Sequence, residues 1–147
     1  MFKHILIPTD GSPLSASAIK TGITIAKAFG AKVTGIRVYQ PYTISAYGEF
    51  GPRDDIVEKN YKAAALQAAN NDLDVIARAA VDAGVAFDRA IAEQDHPWKT
   101  IVDEAENRGC DLICMSSHGR SGLSGVLIGS ETSRVLTHTK ILVLVSR

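Results

Sequence analysis

Two short segments carry the residue types from which a ligand site could be built. The first is Pro8-Thr9-Asp10-Gly11-Ser12, directly after the apolar run Ile5-Leu6-Ile7. The second opens Ser116-Ser117-His118-Gly119-Arg120-Ser121-Gly122 and runs on to Gly129-Ser130. Glycines at 119, 122, 125 and 129 let backbone N–H groups approach an anion closely. Arg120 adds a guanidinium, and Ser116, Ser117 and Ser130 add hydroxyls. Gly129-Ser130 stands at the start of a predicted helix, whose free N–H groups and dipole favour negative charge. This is chemistry suited to phosphate. It is not a Walker loop, because no Gly-Lys-Ser/Thr is present, and it is not the GxGxxG dinucleotide fingerprint. On loop composition alone, a flexible loop with Ser130 as an ordinary N-cap explains the segment equally well.

Asp10 ends the first predicted strand. Two readings stand level there: a carboxylate facing a ribose or a phosphate-bound Mg²⁺, and a turn aspartate bonded to its own backbone, common in Asp-Gly pairs. His118 invites a general-base role, but no motif gives it a partner carboxylate or a nucleophile, so local packing or hydrogen bonding is the favoured reading. His4, His96 and His138 show no metal-ligand spacing. Cys110 and Cys114, the only cysteines, lack the Cys-x-x-Cys redox spacing, and Cys114 is expected in the core. Tyr39, Tyr42 and Tyr47 could stack on a bound base or anchor their loop. Trp98 is expected to pack.

The elements that must position these residues alternate. Strands are predicted at His4–Thr9, Lys32–Tyr39, Phe87–Glu93, Asp111–Ser116 and Ile141–Val145. Helices are predicted at Ser15–Phe29, Asp54–Ala83, from Pro97 to just before Gly109, and at Ser130–Thr137. Gly30 and Gly84 stop the first two helices, and Pro97 suits a first helical turn. Asn70-Asn71 marks a place where the second helix could kink. That helix is rich in alanine, which suggests close core packing. The loop from Gln40 to Pro52 is the one long irregular segment. Strict alternation implies an open parallel sheet with right-handed crossovers and helices on both faces, an α/β class. In such sheets ligands bind beyond the carboxyl ends of the strands, where strand order reverses, and both candidate segments fall there.

Composition narrows the function classes. The chain has 147 residues, enough for one domain spanning 1–147 with a sizeable core. Sixteen Lys+Arg balance 16 Asp+Glu, so no charge excess draws the protein to nucleic acid or an anionic membrane. Apolar runs of about five residues are far below the roughly 20 needed to span a bilayer. The apolar stretch at the N-terminus is too short for a signal peptide. The expectation is a soluble, cytoplasmic protein without a disulfide framework.

Taken together, Ile5-Leu6-Ile7-Pro8-Thr9-Asp10-Gly11-Ser12, the run Cys110 to Leu123, and Leu127-Ile128-Gly129-Ser130-Glu131-Thr132-Ser133 followed by Val135 to Ile141 resemble the universal stress protein family over essentially the whole chain. The resemblance implies a Rossmann-like sheet of order 3-2-1-4-5 and a homodimer. It also implies ATP binding through a G-x2-G-x9-G-S/T pattern, which falls here on Ser116, Gly119, Gly129 and Ser130, with serine in place of the first glycine. That glycine lies near the ribose in ATP binders of the family, so Ser116 could crowd the sugar. Asp10 matches a ribose- or metal-facing aspartate, and Val38 a position whose backbone meets adenine. The implied nucleotide crevice comprises Pro8, Thr9, Asp10, Val38, Met115, Ser116, His118, Gly119, Arg120, Gly122, Gly129, Ser130 and Glu131, with Asp10 also serving Mg²⁺ held by the ATP phosphates. Leu142 departs from the proline common in relatives.

Loops required by the pyrophosphatase-type synthetases (Ser-Gly-Gly-x-Asp-Ser) and the class I tRNA synthetases (His-Ile-Gly-His-like) are absent. No residue set offers a nucleophile, a base and an oxyanion site together. The expected function is therefore an ATP-binding stress-response module, non-catalytic or slowly hydrolysing, acting with an unknown protein partner. The alternative is a nucleotide-independent dimeric interaction protein. A hydrolase of small phosphorylated compounds has only His118 and Arg120 in its favour. The apolar run Ile141-Leu142-Val143-Leu144-Val145 would lie at a sheet edge, and is expected to pair antiparallel with a second copy.

Overall fold

In the computed structural model, which describes residues 1–43, 55–119, 122 and 128–147, strand and helix alternate along the chain. β1 (His4–Pro8) and β4 (Leu112–Ser116) are the central strands, and both are closed to solvent along almost their whole length. Ile5 and Ile7 turn into one apolar layer and Leu6 into the other. These runs are therefore continuously apolar rather than alternating, as strands covered on both faces must be. With β2 (Lys32–Tyr39), β3 (Phe87–Glu93) and β5 (Leu142–Ser146) they form a five-stranded sheet of order β3-β2-β1-β4-β5, every neighbouring pair parallel. The order reverses between β1 and β4, so a crevice opens where those two strands end.

Helices α1 (Ser15–Phe29) and α2 (Asp55–Ala83) cover one face. Their core there joins Ile5, Ile7, Ile19, Ile23, Leu73 and Ile76. Helices α3 (Pro97–Asn107) and α4 (Ser130–His138) cover the other, around Leu6, Ile36, Ile101, Ile113 and Val135. Gly30 ends α1 with φ of +65°, its N–H on the Ala26 carbonyl, a conformation that costs a residue with a Cβ more than glycine. Asn70 does not interrupt α2: its amide donates to the Leu66 carbonyl at 3.1 Å and its Oδ1 accepts from Arg89 at 2.9 Å.

Several boundaries move by one residue from their expected places: β4 begins at Leu112, α4 ends at His138 and β5 ends at Ser146. β1 stops at Pro8, and β5 begins at Leu142, because the Thr139 hydroxyl holds the Ile141 N–H at 3.1 Å in the preceding turn. The larger departure is in α2. Its 29 residues span about 43 Å at 1.5 Å per residue, against about 26 Å for the longest strand. Buried positions start only at Ala69 and continue through Leu73, Ile76 and Ala80. The second half of α2 is thus the core helix that its alanines suggested, while the first half overhangs the carboxyl end of the sheet and becomes a wall of the crevice.

Candidate functional site

The crevice has a volume of about 990 Å³. Its floor is Pro8 at the end of β1 with Thr9 and Asp10 after it, Ile36 to Tyr39 of β2 with Gln40 after it, and Met115 and Ser116 of β4. One wall is Tyr61, Ala64, Ala65 and Ala68 from the overhang of α2; the other is His118, Gly119, Gly122, Gly129, Ser130, Glu131 and Thr132, with Pro97 and Ile101 of α3. Every residue of the implied nucleotide crevice lines this one space except Arg120, which like Gly125 lies outside the described residues, whereas Ser117 is buried and does not line it.

Asp10 makes the local bonds of the turn reading. Its Oδ1 accepts the Ser12 N–H at 2.9 Å and the Ser15 hydroxyl at 3.3 Å, which fixes the turn. Its Oδ2 faces Gly119 across the crevice: a Cβ built on Gly119 would lie 2.8 Å from it. The turn depends on glycine at 11, where φ is +77° and a Cβ would run into the Asp72 carboxylate of α2. Asp72 in turn accepts from Arg37 Nε at 2.9 Å.

Ser130 is not the N-cap of α4. Gly129 caps it in an extended conformation, its C=O accepting the Ser133 N–H at 2.9 Å, and among the described residues no side chain caps the first turn. The opening N–H groups of α4 are thus without a side-chain cap, on the crevice wall, where a bound anion can use them. Gly129 is pinned against the β4 loop by its own N–H on the Ser117 carbonyl at 2.7 Å, and a Cβ there would come within 3.2 Å of that carbonyl oxygen. Ser116, the serine in a glycine position, donates its hydroxyl to the His118 carbonyl at 2.7 Å. Its side chain is therefore bound into the loop. His118 Nδ1 stands 3.0 Å from the Ser117 hydroxyl, the local hydrogen bonding expected of it.

Glu131 lines the crevice and also ties two helices together. Its Oε2 accepts the Trp98 N–H at 2.8 Å and so caps the first turn of α3, joining α3 to α4 at the rim. Trp98 packs on His138, with ring centroids 4.4 Å apart. Tyr39 is buried and donates to Glu93 at 3.1 Å, which anchors it to β3, and burial raises its phenol pKa. Tyr42 packs on Tyr61 with centroids 5.4 Å apart, whereas Tyr47 lies outside the described residues. Burial pushes both cysteine thiols up to about 11, so neither is a thiolate at neutral pH. Among the described residues no three His, Cys, Asp or Glu side chains gather as a metal cluster. No helix among them is long and apolar enough to cross a membrane.

The α2 wall and Arg37 were not singled out from the sequence. Alanines carry no chemical signal, and the one available clue was length: a 29-residue helix cannot be covered by an eight-residue strand.

A family model for the universal stress proteins matches residues 1–147. Among curated proteins, a universal stress protein of Methanocaldococcus jannaschii is 34% identical over 148 residues, covering 99% of this chain and 82% of its own length. Among solved structures, UspA of Lactobacillus plantarum aligns with a TM-score of 0.84 at 25% identity, covering 99% of this chain and 98% of that one. A further universal stress protein, solved in complex with cAMP, shares the fold with a TM-score of 0.65 at 24% identity, covering 99% of this chain and 97% of that one. The sheet order, the crevice at its reversal point and these matches over the full length agree: the chain belongs to the universal stress protein family.

Proposed function

We propose that the crevice binds an adenine nucleotide, ATP with Mg²⁺, and that the protein acts as a nucleotide-dependent stress-response module. The observation that carries this reading is the first turn of α4, which lacks a side-chain cap and opens from Gly129 toward Gly119 and the Asp10 carboxylate. A polyphosphate suits that turn through its N–H groups and dipole. One carboxylate beside a phosphate site is the donor set that Mg²⁺ commonly takes, the remaining ligands being phosphate oxygens and water. Asp10 is the residue that would hold it. The apolar side of the crevice, from Ile36 and Val38 to Met115 and the α2 alanines, suits a base. The family relative solved with cAMP supports an adenine nucleotide as the ligand class.

Binding rather than turnover is favoured. His118 is engaged with Ser117, and the two thiols are buried and protonated. A hydrolase reading has no further support here.

The test is mass spectrometry of freshly purified, denatured protein, followed by titration of the emptied protein with ATP and Mg²⁺. Co-purified ATP or ADP, or saturable binding lost in Gly129→Val and weakened in Asp10→Ala, supports the reading. Gly129 has φ of −68°, so the valine would act by filling the space over the Ser117 carbonyl and not by straining the backbone. An empty protein that ignores ATP favours the nucleotide-independent interaction protein instead.

A two-fold dimer through β5 completes the proposal. Leu142 is 58% exposed and the remaining strand residues are only partly buried, leaving an apolar edge that a second copy would cover.

A further inference from the structure

β2 outruns β1. The β1–β2 register ends at Pro8↔Ile36, whereas β2 stays paired with β3 as far as Tyr39↔Glu93. The polar backbone of β2 alternates in direction. Lys32 and Ile36 bond toward β1, through Lys32 N–H to the Lys3 carbonyl and Thr9 N–H to the Ile36 carbonyl, both at 3.0 Å. Val33 and Tyr39 bond toward β3, through Val33 N–H to the Ala86 carbonyl and Gln94 N–H to the Tyr39 carbonyl. Val38 shares the parity of Lys32 and Ile36. Its N–H and C=O therefore turn to the β1 side above the point where β1 has ended, into the crevice. A peptide donor and acceptor side by side, with Ile36, Met115 and Ala68 around them, suit the edge of a flat heteroaromatic base.

That edge is already modified. Arg37 Nη1 donates to the Val38 carbonyl at 2.5 Å. The guanidinium is held in place from behind, its Nε on Asp72 of α2 at 2.9 Å, and the side chain is 15% exposed. Asp72 itself packs under Gly11, so the anchor is part of the same turn that carries Asp10.

We propose that Arg37 sets the base selectivity of the crevice, so that purines with oxygen at C6 are accepted alongside 6-aminopurines. The proposal rests on the nucleotide reading above. A 6-amino group brings N–H donors to a carbonyl that already accepts from Arg37, and donor then meets donor at short range. A 6-oxo group brings an acceptor that the guanidinium satisfies, while the ring N1–H donates to the second lone pair of the carbonyl. Without the guanidinium, the Val38 edge has one donor and one free acceptor, the complement of a 6-aminopurine.

The probe pair is ATP and inosine triphosphate, which differ only in the amino or oxo group at C6 and the accompanying N1 proton. Dissociation constants are measured with Mg²⁺ by isothermal titration calorimetry. In the wild type the two are expected within about threefold of each other. Arg37→Lys keeps a charge for Asp72 but lacks the planar fork. It is expected to shift the ratio by about tenfold in favour of ATP, the size of effect expected when a buried polar group loses its partner. The double variant Arg37→Met with Asp72→Asn removes the guanidinium without leaving a charge unpaired, and is expected to shift the ratio the same way; circular dichroism checks the fold of both. A ratio unchanged within about threefold in both variants, or moved toward inosine triphosphate, overturns the role of Arg37 and leaves the nucleotide reading standing. A wild type that binds neither triphosphate overturns both.

Discussion

Replacing Gly119 by alanine isolates the contact across the mouth of the crevice. Gly119 is not in the left-handed region, so alanine can adopt its backbone without conformational strain. The added Cβ, however, lies 2.8 Å from Asp10 Oδ2. A comfortable carbon contact is closer to about 3.5 Å, so the carboxylate has to retreat by more than half an ångström. It cannot do so freely, because Oδ1 holds the Ser12 N–H at 2.9 Å and the Ser15 hydroxyl at 3.3 Å. Hydrogen bonds to a charged group contribute about 1.5–3 kcal/mol each. Water enters this open crevice and replaces part of what is lost, so a net destabilisation of about 1–2 kcal/mol is expected, with Tm lower by about 2–8 °C. Affinity for ATP with Mg²⁺ should fall by about tenfold, or about 1.4 kcal/mol, because the displaced carboxylate no longer faces the phosphate wall. The control is Gly122→Ala, whose Cβ meets only ordinary contacts at 3.4 Å or beyond. Differential scanning fluorimetry and calorimetric titration read both effects. A Gly119→Ala protein that melts and binds like Gly122→Ala would falsify the placement of Asp10 against Gly119.

Three further outcomes are expected. Glu131→Ala removes the acceptor of the Trp98 N–H and should destabilise by about 1 kcal/mol, as loss of a helix cap does, read as a lower denaturation midpoint; Glu131→Gln should recover most of it. His4 is buried, its Nδ1 donating to the Arg108 carbonyl at 3.1 Å and its Nε2 accepting from Thr34 at 2.8 Å, and burial lowers its pKa below 6.5. The unfolded chain therefore takes up this proton first, so the stability from neutral His4 is full above pH 6.5 and is lost as pH falls through the lower folded pKa. His4→Asn should flatten that acid limb in urea melts at stepped pH, and an unchanged limb would assign it to other groups. Leu144→Lys and Val143→Lys, on opposite faces of β5, should convert a dimer to monomer or to insoluble protein by light scattering; a monomeric wild type, or two fully dimeric variants, would remove β5 as the interface.

The middle of the sheet was legible because β1 and β4 carry their burial in their own residues. Ile5-Leu6-Ile7 and Leu112-Ile113-Cys114-Met115 are apolar at consecutive positions, which only a strand covered on both faces requires, and both are buried on both faces. Gly30 and Pro97 punctuate helices for local reasons that need no tertiary partner. Where an end depended on a side chain several residues away, the boundary shifted, as at Ile141, held back by Thr139. Asn70 shows the reverse: a weak helix former stays helical because its side chain finds Leu66 and Arg89.

The site divides along the same line. Asp10, Gly119 and Gly129 could be read from sequence because their chemistry is local: a carboxylate in a turn, and glycines where backbones come close. Glu131 could be placed at the rim, but its engagement with Trp98 could not, since the two are 33 positions apart and belong to different helices. Arg37 is harder still. In sequence it is one charged residue in an apolar strand, and its position on β2 points it to the α2 layer. Its contact with the Val38 carbonyl exists because β1 ends at Pro8 and leaves the last part of β2 without a neighbour, and because Asp72 approaches from a helix 35 residues further along. Three elements must be assembled before that guanidinium has a reason to lie over a backbone edge. The Gly119–Gly129 end of the crevice is therefore written in glycines and the helix start, whereas the open backbone edge at its other end is a property of how far each strand runs.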